Sequence, residues 1–151
     1  MAKFVFRLQS FLGVKEQIED LKKNEYGIAL RRLEEERRRK EMLEQELVQN
    51  VLFLKESVNS IIEPMEIRRY NNRIDILKTW IIKQEEKIKA AEEYAEEKRL
   101  ELVEAMKERK SLETVKEKKY EEHLKDEQRA ERVVVDGVVS YRYSSLKADI
   151  I

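Results

Sequence analysis

The sequence predicts an all-α fold: a long antiparallel two-helix coiled coil, an α-hairpin, with a short hinge near Pro64 and a mobile C-terminal tail. Three observations carry this. Charged residues make up 42% of the 151, against three glycines and no cysteine. Glu, Lys, Arg, Leu and Ala dominate, a composition that favours long helices over a compact core. Pro64 is the only proline, and it interrupts the helical pattern once, in "VNSIIEPMEI". A long heptad pattern follows it.

The first helix is expected over about residues 3–59 of a single coiled-coil domain spanning 1–151. It opens with "FVFRLQSFLGV", Phe4 to Val14, which holds three of the four phenylalanines of the chain. Phe4, Phe11, Val14, Ile18, Leu21 and Ile28 define one apolar register. Leu47, Val51, Leu54, Val58 and Ile61 define another. The two are out of phase by about one residue near Ile28 to Leu33, which predicts a local unwinding there. In "RRLEEERRRKEMLEQE" the charges alternate in blocks. Glu34 with Arg38, Glu35 with Arg39 and Glu36 with Lys40 are i,i+4 pairs, each contributing roughly 0.2–0.5 kcal/mol to a helix. This block reads as a solvated helix face, because acids flank every base.

The hinge is expected at about residues 60–65, with Asn59 and Ser60 as turn and cap residues. Proline is tolerated at a helix start and breaks an interior. The second helix is expected over about 66–133. Its a and d positions are Ile67, Tyr70, Ile74, Leu77, Ile81, Gln84, Ile88, Ala91, Ala95, Lys98, Leu102, Ala105, Arg109 and Leu112. A 3,4 spacing sustained this long is a coiled-coil seam. It weakens into Lys116, Lys119, His123 and Asp126. A helix of about 60 residues would be about 90 Å long. A hairpin of two such helices brings both termini to one end and the hinge to the other.

The tail, 134–151, departs from the pattern. "VVVDGVVSYRY" places Asp136-Gly137 between β-branched runs, a strong local hairpin signal, although an isolated hairpin is marginal. A helix stop at Gly137 is therefore expected, followed by a mobile or partner-ordered tail. Residual helix is the alternative.

The same features exclude most chemistry. Lysines plus arginines number 32 and so do aspartates plus glutamates, so charge gives no argument for nucleic acid or an anionic membrane. A nucleic-acid-binding rod built on Arg37 to Lys40 is the weakest of the binding readings. Without cysteine there is no disulfide, thiolate site or thiol nucleophile. His123, the only histidine, lies between Glu122 and Asp126 and reads as a surface residue rather than a metal ligand. No phosphate loop or nucleophile elbow occurs. No catalytic residue, cofactor, metal or small-molecule substrate is expected. Arg7, Lys15 and Glu16 break the only segment resembling a leader. No run approaches the roughly 20 apolar residues of a membrane span. A cytoplasmic protein is expected.

Apolar residues off the seam suggest contacts with other proteins. Leu52, Phe53, Ile76, Trp80 and Ile82 fall outside a and d near the hinge. They read either as scattered surface residues or as a binding face. At the other end Phe4 and Phe11 share a seam position, Leu8 flanks it, and Phe6 and Leu12 point elsewhere. Two helices cannot cover all of these, so either the C-terminal tail folds over them or another protein does, and a docking tip is the favoured reading.

"FVFRLQSFLGVKE", "YNNRIDILKTWIIKQEEKI" and "EKKYEEHLKDEQRAE" together resemble the FliJ family of small flagellar export proteins, over about Lys3 to Tyr143. The Phe-x-Phe-x-Leu start is the most specific element. Family tails usually continue as helix through a Leu-Asp-Glu, where this chain has Val134, Val135, Asp136 and Gly137. The resemblance implies a non-catalytic coiled coil like the central stalk of rotary ATPases. It would bind the hexameric flagellar export ATPase, promote its ring assembly and contact the export-gate membrane protein, and it would act as a general chaperone or chaperone escort for export substrates, with export chaperones among its partners. It would sit in the cytoplasm, associated with the inner face of the membrane at the flagellar base. By this resemblance Phe4, Phe6, Leu8, Phe11 and Leu12 would meet the ATPase. A face containing Leu52, Phe53, Tyr70, Ile74, Ile76, Leu77 and Trp80 would meet the gate or another partner. A structural coiled coil that dimerises through its seam is the alternative.

Overall fold

A computed structural model describes residues 2–150. They form two helices, α1 (Gln9–Ser57) and α2 (Pro64–Asp149), with no strand among them. The two pack antiparallel. The chain divides into two compact units, one of residues 1–18 and 106–151 and one of residues 19–105.

In the second unit α1 ends where its backbone donors run out of helical partners. Asn59 N–H donates to Glu56 C=O and Ser60 N–H to Ser57 C=O. The Ser57 hydroxyl turns back to Phe53 C=O. Residues 58–63 are non-helical, and Pro64 is the first residue of α2. The missing N–H of proline costs nothing at that position. Glu63 C=O takes the first helical bonds, from the N–H groups of Glu66 and Ile67.

The α2 seam follows the heptads. Ile74, Leu77, Gln84, Ala91, Ala95 and Ala105 are buried, and Ile81, Ile88, Lys98 and Leu102 half-buried between them. Three of these buried residues are alanines, so the backbones can approach closely.

The α1 seam does not follow its most apolar residues. Glu19, Ala29 and Leu33 are buried, while Leu21 and Ile28 keep 56% and 60% of their surface exposed. The inward positions are Glu19, Lys22, Tyr26, Ala29, Leu33, Glu36, Lys40, Leu43, Leu47, Asn50, Leu54 and Ser57. They keep one 3,4 register throughout, so there is no phase change and no unwinding near Ile28 to Leu33. The downstream set shares Leu47 and Leu54 with this seam, but its Val58 and Ile61 are exposed and lie past the helix end.

Charge pairing explains the register. Lys22 contacts Glu101 at 3.0 Å and Lys98 contacts Glu25 at 3.5 Å, while Lys22–Glu25 and Lys98–Glu101 close the ring at 3.4 and 3.3 Å. Gln84 donates through Nε2 to the Glu36 carbonyl at 2.9 Å and to the Glu36 carboxylate. Both arrangements require polar residues at inward positions of α1, and Phe11, Leu21 and Ile28 are turned outward.

The charged block also differs from the expected intrahelical ladder. Glu34–Arg38 forms at 3.7 Å. Arg37 instead reaches Glu92 at 3.1 Å, and Lys40 reaches Glu85 at 3.2 Å, both on α2. Arg39 turns to Glu36 at 3.5 Å.

In the first unit the chain starts as a non-helical strap, and α1 begins at Gln9, several residues later than the sequence suggests. Gln9 N–H donates to Phe6 C=O at 3.1 Å, and Leu12 N–H to Leu8 C=O at 2.9 Å. The α2 helix does not stop at Gly137. It runs to Asp149, which is the residual-helix alternative. Asp136-Gly137 forms no turn, and Gly137 has no positive φ. The reason is local continuity: once α2 is formed, propagation adds one hydrogen bond per residue fixed, whereas a hairpin must be nucleated anew.

Candidate functional sites

The first site lies in the unit of residues 1–18 and 106–151. Its strap is pinned by aromatics. The Phe4 ring meets Tyr120 edge-on at 5.3 Å between centroids and His123 at 5.5 Å. His123 Nε2 lies 3.3 Å from Glu127. Lys15 bridges to Glu108 at 2.7 Å, and Lys116 donates to Gln9 Oε1 at 2.7 Å. Phe6 and Leu12 are buried, although both were expected to point away from the seam. Phe11, expected on it, is 52% exposed, with the Lys15 ammonium 5.3 Å from its ring centroid. For Phe11 and Leu12 this inversion is the same one-residue shift seen along α1, whereas Phe6 lies in the strap before the helix. The expected docking set thus separates. Leu8 and Phe11 are on the surface, Phe4 is half-covered, and Phe6 and Leu12 hold the strap and helix in place.

Between the strap and α2 lies a groove of about 780 Å³, lined by residues including Phe4, Leu8, Val115, Lys119 and His123. On α2 the half-buried positions run through Arg109, Leu112, Lys116 and His123 to Glu127, not to Asp126. A straight α-helix drifts about 20° per heptad against a 3.5-residue repeat, which moves the last seam position on by one.

From Gln128 to Ile150 every residue is exposed. This stretch contains Val133, Val134, Val135, Val138, Val139 and Tyr141, and between Val133 and Tyr141 the only charge is Asp136. At about 100° per residue these side chains cover roughly two thirds of the helix circumference, with Asp136 and Ser140 in the remaining sector. A helix apolar over so wide an arc is one that becomes largely enclosed. The sequence reading took this stretch for a tail because the hairpin signal masked its helical distribution.

The second site lies in the unit of residues 19–105, beside the break. Phe53 stacks on Tyr70 at 4.3 Å and 26°. The Arg73 guanidinium lies 5.1 Å from the Trp80 ring centroid and binds Glu46. Trp80 therefore has one face under a cation and remains 43% exposed. Leu52, Phe53 and Ile76 are exposed, as their off-seam positions require. Ile74 is buried and Leu77 fully so, and Tyr70 is half-buried. The exposed members of the expected partner set are thus Leu52, Phe53, Ile76 and Trp80, with Tyr70 partly covered by Phe53. Ile74 and Leu77 support these residues from below.

Among the described residues no group of three or more His, Asp or Glu side chains could hold a metal ion. No helix of these residues is long and apolar enough to cross a membrane. Both sites expose apolar and aromatic side chains at the surface.

Comparison with known proteins gives one match. The family model described as "Flagellar FliJ protein" matches residues 4–147, a range that includes the strap, both helices and the valine-rich stretch. No curated protein and no solved structure matches the chain.

Proposed function

The chain belongs to the FliJ family, a family of flagellar export-related coiled-coil proteins, and from that premise we propose that it is a non-catalytic stalk of the export machinery. It docks on the hexameric export ATPase, promotes assembly of the ATPase ring and links that ring to the membrane export gate. It also receives export chaperones. It works in the cytoplasm against the inner face of the membrane at the flagellar base.

The observation that carries this reading is the valine-rich helix, exposed on all sides in a chain otherwise dominated by charge. Burying such a helix in a surrounding cavity removes its wide apolar arc from water, at roughly 25 cal/mol per Å². A ring with a central channel offers that geometry, and a flat partner does not. Leu8 and Phe11 add exposed apolar surface in the same unit. Phe4, Phe6 and Leu12 contribute by holding the strap and α1 in place. The face around Phe53 and Trp80 supports contact with the export gate. Aromatic side chains with a rigid setting are the usual anchors of protein interfaces, and Arg73 and Tyr70 supply that setting here.

The test is ATP turnover and oligomer size of the cognate export ATPase, with and without the full chain. Stimulated turnover together with ring formation is expected. Leu8→Asp with Phe11→Asp should abolish both effects while leaving helicity unchanged. An ATPase that neither binds nor responds would refute the stalk reading.

A further inference from the structure

The valine-rich stretch is helical against its own local preferences. Residues 133–143 contain five valines, two tyrosines and an Asp-Gly pair. Valine and glycine are poor helix formers, and β-branched runs around Asp-Gly favour a hairpin. Helices in proteins usually overcome such preferences by packing an apolar face. This stretch packs none, since every residue from Gln128 to Ile150 is exposed.

We infer that residues 133–143 are a binding element that completes its folding on the partner. In the free chain they exchange between helical and non-helical forms. In the complex a socket lined mostly with apolar side chains, open to water or polar groups on the Asp136 side, selects and holds the helix. The inference rests on the docking reading above and adds a regulatory consequence to it. Apparent affinity is reduced by the fraction of time the segment is not helical, so anything that favours the helix tightens binding without adding a contact.

Gly137 isolates this effect. A Cβ built there has no neighbour within 4 Å, and its φ is not positive. Gly137→Ala therefore changes helix propensity and creates no clash. Gly27→Ala is the matched control, because Gly27 also has open space around its Cβ but lies in α1.

Two measurements on the full chain test the inference. Hydrogen exchange of the free protein should show amides 133–143 exchanging far faster than those of 70–105, and becoming protected when the export ATPase is added. Gly137→Ala should raise helicity and tighten ATPase binding by up to about fivefold, while Gly27→Ala leaves binding unchanged. Equal protection of both stretches in the free chain would overturn the inference. So would unchanged or weaker binding by Gly137→Ala, since weaker binding would mean that the partner takes a non-helical form. An ATPase that binds neither the parent nor the variant overturns the docking reading itself. The exchange contrast in the free chain needs no partner and distinguishes that failure from the others.

Discussion

Between Glu19 and Ala105 the two helices meet across a seam containing Glu19, Lys22, Glu36, Gln84 and Lys98. From Gln128 onward α2 carries valines and tyrosines that meet no other element. The stretch with polar residues in its seam is covered, and the stretch richest in exposed valine is bare. Polar residues in a seam cost stability and set register. The Lys22–Glu25–Lys98–Glu101 ring and the Gln84–Glu36 pair select one antiparallel alignment from many that a smooth apolar seam would allow. The bare stretch carries no such device. Its partner, not its register, decides what it does.

The largest effect expected from this contrast is on stability. Leu77 has no exposed surface. Leu77→Ala should destabilise the protein by about 2–5 kcal/mol, read as a fall in the midpoint of thermal or urea unfolding. Val138→Lys in the bare stretch should leave that midpoint within about 0.5 kcal/mol and still abolish stimulation of the export ATPase. If Val138→Lys unfolded the protein as Leu77→Ala does, the bare stretch would be a packed element and the contrast would fail.

The two halves of the hairpin were unequally legible in the sequence, for the same reason. In α2 the inward residues are Ile74, Leu77, Ile81, Ala91 and Ala95, so apolar periodicity and burial coincide. In α1 the inward residues include Glu19, Lys22, Glu36 and Lys40, while Phe11, Leu21 and Ile28 face outward. A reading that equates apolar with inside therefore lands one residue off, and places Phe6 and Leu12 outside when both are buried. The clue was present in the charges. Lys22 can meet Glu101, and Glu25 can meet Lys98, only if all four lie beside the seam. At the tail, Asp136-Gly137 signalled a turn that helix continuation overrides. The off-seam positions of Leu52, Phe53, Ile76 and Trp80 were readable because the α2 register is apolar there and the break at Pro64 is sharp.

A smaller effect is expected at the buried polar pair. Gln84→Leu removes the donor to Glu36, whose side chain is only 13% exposed. Losing a hydrogen bond to a charged group with little access to water should cost about 1–3 kcal/mol. Arg39, 3.5 Å from the Glu36 carboxylate, offsets part of this. Replacing both residues, Glu36→Leu with Gln84→Leu, should recover most of the lost stability or exceed it. The double variant should also form mixed alignments or oligomers in sedimentation experiments. A double variant that stayed a single species would show that the charge ring alone sets the register.

The smallest effect belongs to that ring and appears in the pH dependence. Hydrogen bonds from Lys22 and then Lys98 hold the Glu101 carboxyl below its ordinary value near 4.5. The hydrogen bond to Glu101 raises Lys22 and Lys98 above their ordinary value near 10.5. A carboxyl depressed by folding stabilises the folded state above its unfolded pKa, and that contribution is lost as pH falls through 4.5 toward the folded value. Lysines raised by folding stabilise below 10.5, and their contribution is lost as pH rises beyond it. The unfolding midpoint should therefore be level across the neutral range and fall at both extremes. Glu101→Gln should shrink both falls together, because it removes the depressed carboxyl and also the leading cause of both lysine shifts. High salt should do the same more weakly, since the four groups are partly exposed and screened. Glu96→Gln is the control. Glu96 is also depressed, but by Arg99 on its own helix, so its loss should soften the acid fall and leave the lysine side untouched. If Glu101→Gln altered only the acid side, the ring would be two separate pairs and would not hold the helices in register as a unit.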